Sequence, residues 1–531
     1  MATMVMDTAP NKSIIALTII SAISLSATAG EFEFTPNMIV TETYTDNIDL
    51  TRTNEESSLV SQLGVGLSLD YIAQQLQFKW ASESTYATYT HDHDLDKDYH
   101  NLTSSLSWVI WPKGIRFIAD GSISNQSRSN GTNSLADIVS ADTVRVETYR
   151  AGFAYDVTNS DFIVNSQIAY VASVSEDEIG ERDGIQAQLE SRNGKGADNI
   201  FWEADGSYQD LENNANDATF YRAEVKLGWI SNYSINPLIR YYDEDNEGSV
   251  SRNRSLESNS IGIGLRWLIT PRFYVEASYN DPIGSKTDID GNELEAYYDI
   301  NLNWQPTTRT SVRASKTERF FGDSYSLNIK HRSKRMENSI SYFEEVQVFT
   351  RNNLEPYLEG LYWCPQGDST ILENCYISDG QDINFDDYTL VSVTNFNILE
   401  DQEYNLNKIL EWTSSLILPR TTFDLTVSHN KRTNLNRDLT DIYGRGVLGI
   451  QRQVSGRSSL SLQLEYSDNI FHENEIDERQ DRYRRYTVSY KKRLNSQLNI
   501  DFGISALNRD SDLPQFNYDE NRVHFKFTKE F

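Results

Sequence analysis

What this chain of 531 residues lacks narrows it first. Beyond the run at 14–25, no apolar stretch approaches the ~20 residues that a membrane-spanning helix needs. Positive charge is short: 78 Asp and Glu face 48 Lys and Arg, giving a formal net charge of −30 and a pI of about 4.6. That balance argues against a nucleic-acid partner. The length would accommodate three or four soluble domains, yet no Pro/Gly/Ser-rich linker divides the chain. No helical period of useful length appears. There are only two cysteines, Cys364 and Cys375, and seven histidines.

What is present is alternation. Leu59, Leu63, Val65, Leu67 and Leu69 share one parity, with Gln62, Gly64, Gly66 and Ser68 on the other. The same pattern recurs at 221–229, 261–269, 294–304, 423–428, 460–466 and 498–506. A strand with one apolar and one polar face writes such a period of two. Repeated segments of about ten alternating residues between turns are the mark of a transmembrane β-barrel, whose chain looks soluble overall because only alternate residues meet lipid. The mean hydropathy of −0.56 therefore fits a barrel as well as a soluble protein. If the chain lies in a membrane it must be a barrel, because only helices and closed barrels satisfy their backbone there.

Connections alternate short and long, eleven against twelve by our reading. Outer-membrane barrels have short periplasmic turns and longer external loops. With both termini periplasmic, twelve outer connections define an all-β, antiparallel barrel of about 24 strands, within 22–26. The parity holds only if the strand-like stretch 388–398 belongs to a long external loop, 351–402. Trp108, Trp111, Trp229, Tyr233, Trp267, Phe273, Tyr274 and Trp304 gather beside the short turns, where an interfacial girdle belongs.

The ends carry signals. Lys12, the apolar run 14–25 and Ala27-Thr28-Ala29 read as a signal peptide over 1–29, cleaved after Ala29, with the barrel over 30–531. Strands then begin almost at the cleavage site, which leaves no N-terminal plug, so 351–402 is the segment large enough to constrict the lumen. Export also favours a Cys364–Cys375 disulfide in that loop, which would stiffen it; a metal pair is the lesser reading, since no His lies near. At the other end, Phe525, Phe527 and the terminal Phe531 resemble the insertion signal by which bacterial outer-membrane barrels are recognised by the barrel-assembly machinery.

Two patches resemble a known family. Phe34-Thr35-Pro36 with Glu42-Thr43-Tyr44-Thr45-Asp46-Asn47 looks like the opening of an uncharacterised outer-membrane β-barrel family associated with the PEP-CTERM/exosortase system and exopolysaccharide loci. Leu418-Pro419-Arg420-Thr421-Thr422-Phe423-Asp424-Leu425 resembles a hairpin near that family's C-terminal end. The resemblance implies a Gram-negative outer-membrane location and a channel role in export of polysaccharide or surface protein. It supplies no catalytic residues. Two alternatives stay open: a nutrient-uptake porin, and a non-conducting structural or adhesive barrel.

Candidate chemistry is sparse, and the expectation is no enzyme and no cofactor. Ser428-His429-Asn430 has the residue types of a hydrolase site, but adjacent strand residues face opposite sides of the wall and cannot converge. His91, Asp92, His93, Asp94, Asp96 and Asp98 offer ligand-type groups in one outer loop, read as a solvated anionic loop that divalent cations could bridge to lipopolysaccharide. Asp288, Asp290 and Asn292 echo a calcium loop without its first and last ligands. With the apolar parity facing lipid, the lumen should hold Arg222, Glu224, Lys226, Glu293, Glu295, Asp299, Arg313, Asp424, Glu465, Arg485, Lys491 and Asp501. Both signs occur, so the wall is a polar passage. The anionic outer loops predict weak cation selectivity. The expected partners are outer-membrane lipid, lipopolysaccharide, the assembly machinery and polysaccharide.

Overall fold

The computed structural model describes residues 30–128, 133–248, 256–284, 295–365, 376–377, 388–401, 404–476 and 478–531. Twenty-four antiparallel strands form one ring. Each pairs with its neighbours in chain order, and the first, Glu31–Thr45, closes the ring by pairing with both Ser58–Ile72 and the last, Tyr518–Glu530. Closure removes the free edges that lipid could not satisfy. Among the described residues, no helix is long and apolar enough to cross a membrane.

The alternation seen in the sequence sorts cleanly onto two faces. Val225, Leu227 and Trp229 are exposed on the lipid face, while Lys226 and Gly228 are buried on the other. Ile261, Ile263, Leu265 and Trp267 are exposed in the same way. Trp108, Trp111, Trp229, Trp267 and Trp304 point outward beside the short turns, and Tyr233, in the turn itself, is 82% exposed. A bulge between Val109 and Trp111 explains how two tryptophans three residues apart share the lipid face. Tyr274 departs from the expected girdle: it pairs with Asn303 on the inner face and lies 5.2 Å under the Arg266 guanidinium.

A row of exposed tyrosines lies toward the other end, including Tyr86, Tyr170, Tyr241, Tyr279, Tyr298 and Tyr325. Several hydroxyls donate to carboxylates beyond them: Tyr170 to Asp183 at 2.5 Å, Tyr241 to Asp243 at 3.0 Å and Tyr325 to Asp323 at 2.9 Å. Tyrosine suits this level because its ring is apolar and its hydroxyl wet.

The described strands within 351–402 stay out of the ring. Strands Thr350–Pro365 and Tyr388–Asp401 pair with each other, with the short strand Tyr376–Ile377 alongside, as a separate three-stranded sheet. Met336–Gln347 therefore pairs directly with Asn405–Ile417 across the root of that hairpin. The signal peptide, the Cys364–Cys375 pairing, Glu293 and the calcium-like loop lie outside the described residues.

Candidate functional site

The candidate site is the lumen, and its wall is built in rows. Cross-strand register places Glu203, Lys226, Arg240, Gly262, Asn280 and Tyr297 on one inward-facing rung over six consecutive strands. The rungs on either side add Glu224, Tyr242, Ser260, Ser278 and Asp299. These side chains form one buried ion network. Lys226 Nζ lies 2.7 Å from Glu276 and 3.4 Å from Glu224. Arg266 bridges Glu276 at 2.6 Å and Glu203 at 2.9 Å. Arg240 donates to Glu224 at 2.6 Å, to the Tyr297 hydroxyl at 3.1 Å and to Thr317 at 3.2 Å, and lies 3.4 Å from Asp299. Arg319 pairs with Glu244.

These contacts report the curvature of the wall. Arg240 and Thr317 sit four strands apart, about 19 Å along a flat sheet at ~4.8 Å per strand. An arginine cannot cover that distance, so the wall turns a tight corner here and the side chains meet inside it. Small residues make the corner possible. A Cβ on Gly262 would lie 2.1 Å from the Asn280 side-chain oxygen, and one on Gly264 would meet the Ala277 carbonyl at 2.5 Å. Each buried charge has an opposite partner within reach, the condition under which ionised groups tolerate leaving water.

The outer mouth is filled from two sides. Phe320, Val348, Phe349 and Tyr404 are buried in an apolar cluster with Leu211, Ala218 and Leu256, against which Val171 and Leu435 pack. Val171 lies on the seventh strand and Leu435 follows the nineteenth, so the cluster joins opposite sides of the ring. Polar contacts seal it. The Tyr404 hydroxyl donates to the Glu247 carbonyl at 2.9 Å, and Arg182 donates to the Phe349 carbonyl at 3.3 Å. Phe349 turns inward at φ 53°, a left-handed conformation that costs a bulky residue about 1–3 kcal/mol. The outer connection before Gly322 is only Phe320 and Phe321, and Phe320 is drawn into the cluster. Gln126, Thr148, Ser173 and Gln209 from one wall and Glu345 and Gln347 from the opposite wall line a shared cavity of about 540 Å³.

On the other side, residues 133–142 of the connection after the fifth strand fold inward. Ile138 and Val139 pack against Ile48, Val60, Tyr89 and Tyr99. The Tyr89 hydroxyl donates to the Ile138 carbonyl at 2.6 Å. Arg522 holds Asp137 at 2.6 Å, Arg485 donates to the Leu135 carbonyl at 3.2 Å, and the Tyr518 hydroxyl donates to Asn133 at 3.2 Å. The loop leaves the fifth strand and docks on the twenty-second and twenty-fourth.

The structure distributes the expected lumen charges unevenly. Glu224, Lys226 and Asp299 belong to the ion network. Glu465 pairs with Arg445 at 2.7 Å, Arg485 holds loop 133–142, and Lys491 pairs with Asp501 at 3.3 Å. Arg222, Arg313 and Asp424 lie on inward-facing rungs and are exposed there. Glu295 is a correction: its strand starts only at Tyr297, so Glu295 stands in the outer connection, not on the wall. Arg240, Glu244, Arg266, Glu276 and Arg319 escaped the sequence reading. Arg240 and Glu244 were legible, since they share the parity of Asn236 and Tyr242 against exposed Ile239 and Tyr241.

The histidine-rich outer loop is held by its own hydrogen bonds. Asp92 caps a short 3-10 turn, His93–Leu95. Burial raises the Asp96 carboxyl, but the Tyr89 amide at 2.9 Å and the Thr88 hydroxyl at 2.9 Å outweigh it and hold Asp96 below its ordinary range. Among the described residues, no group of three or more His, Cys, Asp or Glu is placed to hold a metal ion. Ser428, His429 and Asn430 are consecutive on the strand Thr421–Asn434, opposite Arg445, Gly444 and Tyr443.

No family model and no curated protein matches the chain. Solved structures of similar architecture do. The siderophore receptor PirA from Pseudomonas aeruginosa is 12% identical over 94% of this chain and 80% of its own, with a TM-score of 0.38. The FrpB iron transporter from Neisseria meningitidis (F3-3 variant) is 8% identical over 94% and 81%, with a TM-score of 0.43. A loop-deletion mutant of OmpT, an outer membrane protein of Vibrio cholerae, is 7% identical over 95% and 100%, with a TM-score of 0.34. What this chain shares with them is architecture: its described residues close into an antiparallel β-barrel of 24 strands.

Proposed function

We propose that the protein is a gated channel for an extended hydrophilic polymer, with exported polysaccharide or surface protein as the cargo that the sequence resemblance favours. One observation carries the gating: the roots of the external hairpin, Val348–Phe349 and Tyr404, meet strands from the far side of the ring in an apolar cluster. An apolar plug across a polar-walled lumen holds little ionic current and yields when packing is lost. The wall supports the polymer reading, since it offers hydroxyls, amides and paired charges, suited to a hydrated chain.

The test is conductance of the folded protein in a planar bilayer. Wild type should conduct in rare or small steps, and Phe349→Ala should conduct in frequent, larger ones. The same cluster also suits a non-conducting structural barrel. That second reading wins if Phe349→Ala and Tyr404→Ala both fold and both stay silent.

A further inference from the structure

The charge pattern changes at the periplasmic end of the lumen. In the buried network described above, cations meet carboxylates. At this end a cavity of about 800 Å³ is lined by Arg420, Arg457, Lys491, Lys492, Arg493 and Lys526, with Asp501 as its one carboxylate. Register fixes the arrangement. Gln453, Ser459, Lys491, Asp501 and Lys526 form one rung over five strands. Tyr490, Phe502 and Phe525, adjacent to its members, are exposed on the lipid face, so the rung faces the lumen. Lys491 is tied to Asp501 at 3.3 Å, yet its side chain stays 63% exposed. Among the described residues, Arg420, Lys492, Arg493 and Lys526 form no ion pair.

Like charges gathered without partners repel one another, and in a chain of net charge −30 they are not a by-product of composition. Most of the remaining lining is amide and hydroxyl, including Gln451, Gln453, Asn499, Thr422, Ser459 and Thr528. Cations suit carboxylates, and neutral amides and hydroxyls suit sugar hydroxyls. A lipid headgroup would bring acyl chains that need an apolar wall, and only Ile417, Leu418 and Ile500 are apolar among the larger lining residues.

We infer that this cavity is a docking site for an acidic polysaccharide, whose carboxylates sit on Arg420, Arg493 and Lys526 as the chain enters the lumen from the periplasm. The inference rests on the polymer-channel reading above and adds the chemistry of the polymer.

The experiment is titration calorimetry on the full chain folded in detergent, with oligogalacturonate as the probe. Neutral dextran of equal length, polyglutamate and phosphatidylglycerol vesicles serve as comparisons. Oligogalacturonate should bind, more weakly at high salt, and dextran should not. Arg493→Gln with Lys526→Gln should lower the affinity tenfold or more. Arg420→Gln with Arg457→Gln, confined to two turns, gives the same readout if the first pair fails to fold. Unchanged affinity in folded variants overturns the site. So does tighter binding of polyglutamate, which would make the partner an acidic protein segment, or of the vesicles, which would make it a lipid. Binding is read without current, so a silent barrel that binds oligogalacturonate refutes the channel but keeps the site, and a conducting barrel that does not bind refutes the site alone.

Discussion

Arg240 tests whether the lumen corner is a sealed brace or a solvated wall. Its side chain is 1% exposed and joins Glu224, Asp299, Tyr297 and Thr317 across a span of six strands. Replacing it with methionine keeps the reach and removes the charge. Glu224 retains Lys226 at 3.4 Å, but Asp299 loses the guanidinium and stays 4% exposed. Removing one partner of a buried pair costs about 3–5 kcal/mol because the other charge is left uncompensated. That is a factor of about a hundred to several thousand in the unfolding equilibrium. Denaturant unfolding of the folded protein, followed by tryptophan fluorescence and by the electrophoretic shift on heating, measures it. Adding Asp299→Asn to Arg240→Met should restore more than about 1 kcal/mol, since the orphaned charge is then gone. If Arg240→Met costs less than about 1 kcal/mol, water reaches the network and the brace does not exist.

Other predictions address the mouth and the loops. Phe349→Ala should cost about 3–5 kcal/mol of packing and should raise conductance. Replacing 351–402 by a short flexible linker that keeps Val348, Phe349 and Tyr404 should change conductance less than Phe349→Ala does, because the plug is built from the hairpin roots; a larger effect would return the constriction to the hairpin. In the connection 176–181, Glu176 is held below its ordinary carboxylate value, chiefly by the Lys97 hydrogen bond at 2.8 Å. A depressed carboxylate contributes stability that is present above its unfolded value of 4.5 and is lost as pH falls through the folded one. Hydrogen exchange of this loop should therefore rise below about pH 4.5 in wild type and show no such step in Glu176→Gln; an equal step in both would sink the assignment. Gly262→Val should disrupt the corner by displacing Asn280, lowering stability without loss of the ring's other strands, as judged by circular dichroism.

The ring was legible because the barrel imposes a period of two on its strands, and Ser258–Thr270 keeps it as far as Trp267, before the bulge at Leu268. Turn spacing then placed the hairpin 351–402 outside the ring. The interior was less legible for a physical reason. Parity says which residues face inward but not how sharply the wall bends, and it is the bend that brings Arg240 to Thr317 and Arg319 to Glu244. Tyr274 shows the same limit: it stands beside a turn in the chain, yet its parity points inward beneath Arg266. The inward fold of 133–142 did leave a trace, since Leu135, Ile138 and Val139 are large apolar residues among small and polar ones, and apolar loop residues need something to cover them.

Along the axis, one alternating pattern yields three chemistries. At the outer end, inward positions are apolar and close the ring across its diameter. In the middle they are oppositely charged and pair, which stiffens a corner of the wall. At the end with the short turns they are mostly cations, with Asp501 on Lys491 as the one carboxylate lining the vestibule, while the outer connections 46–57, 90–96, 176–181 and 472–478 hold fifteen carboxylates against one arginine. A pore negative at one end and positive at the other does not conduct alike in both directions, because each end draws in its own counter-ion. When the outside is positive, cations enter past the anionic loops and anions enter past the basic vestibule, so carriers accumulate in the lumen. With the plug opened by Phe349→Ala, that polarity should pass the larger current, and the ratio should fall toward one as salt rises and the Debye length shrinks from ~10 Å at 0.1 M to ~3 Å at 1 M. Arg420→Gln with Lys526→Gln in the same background should flatten the rectification at low salt. A current symmetric at 0.1 M would mean that the vestibule charge does not face the conducting path.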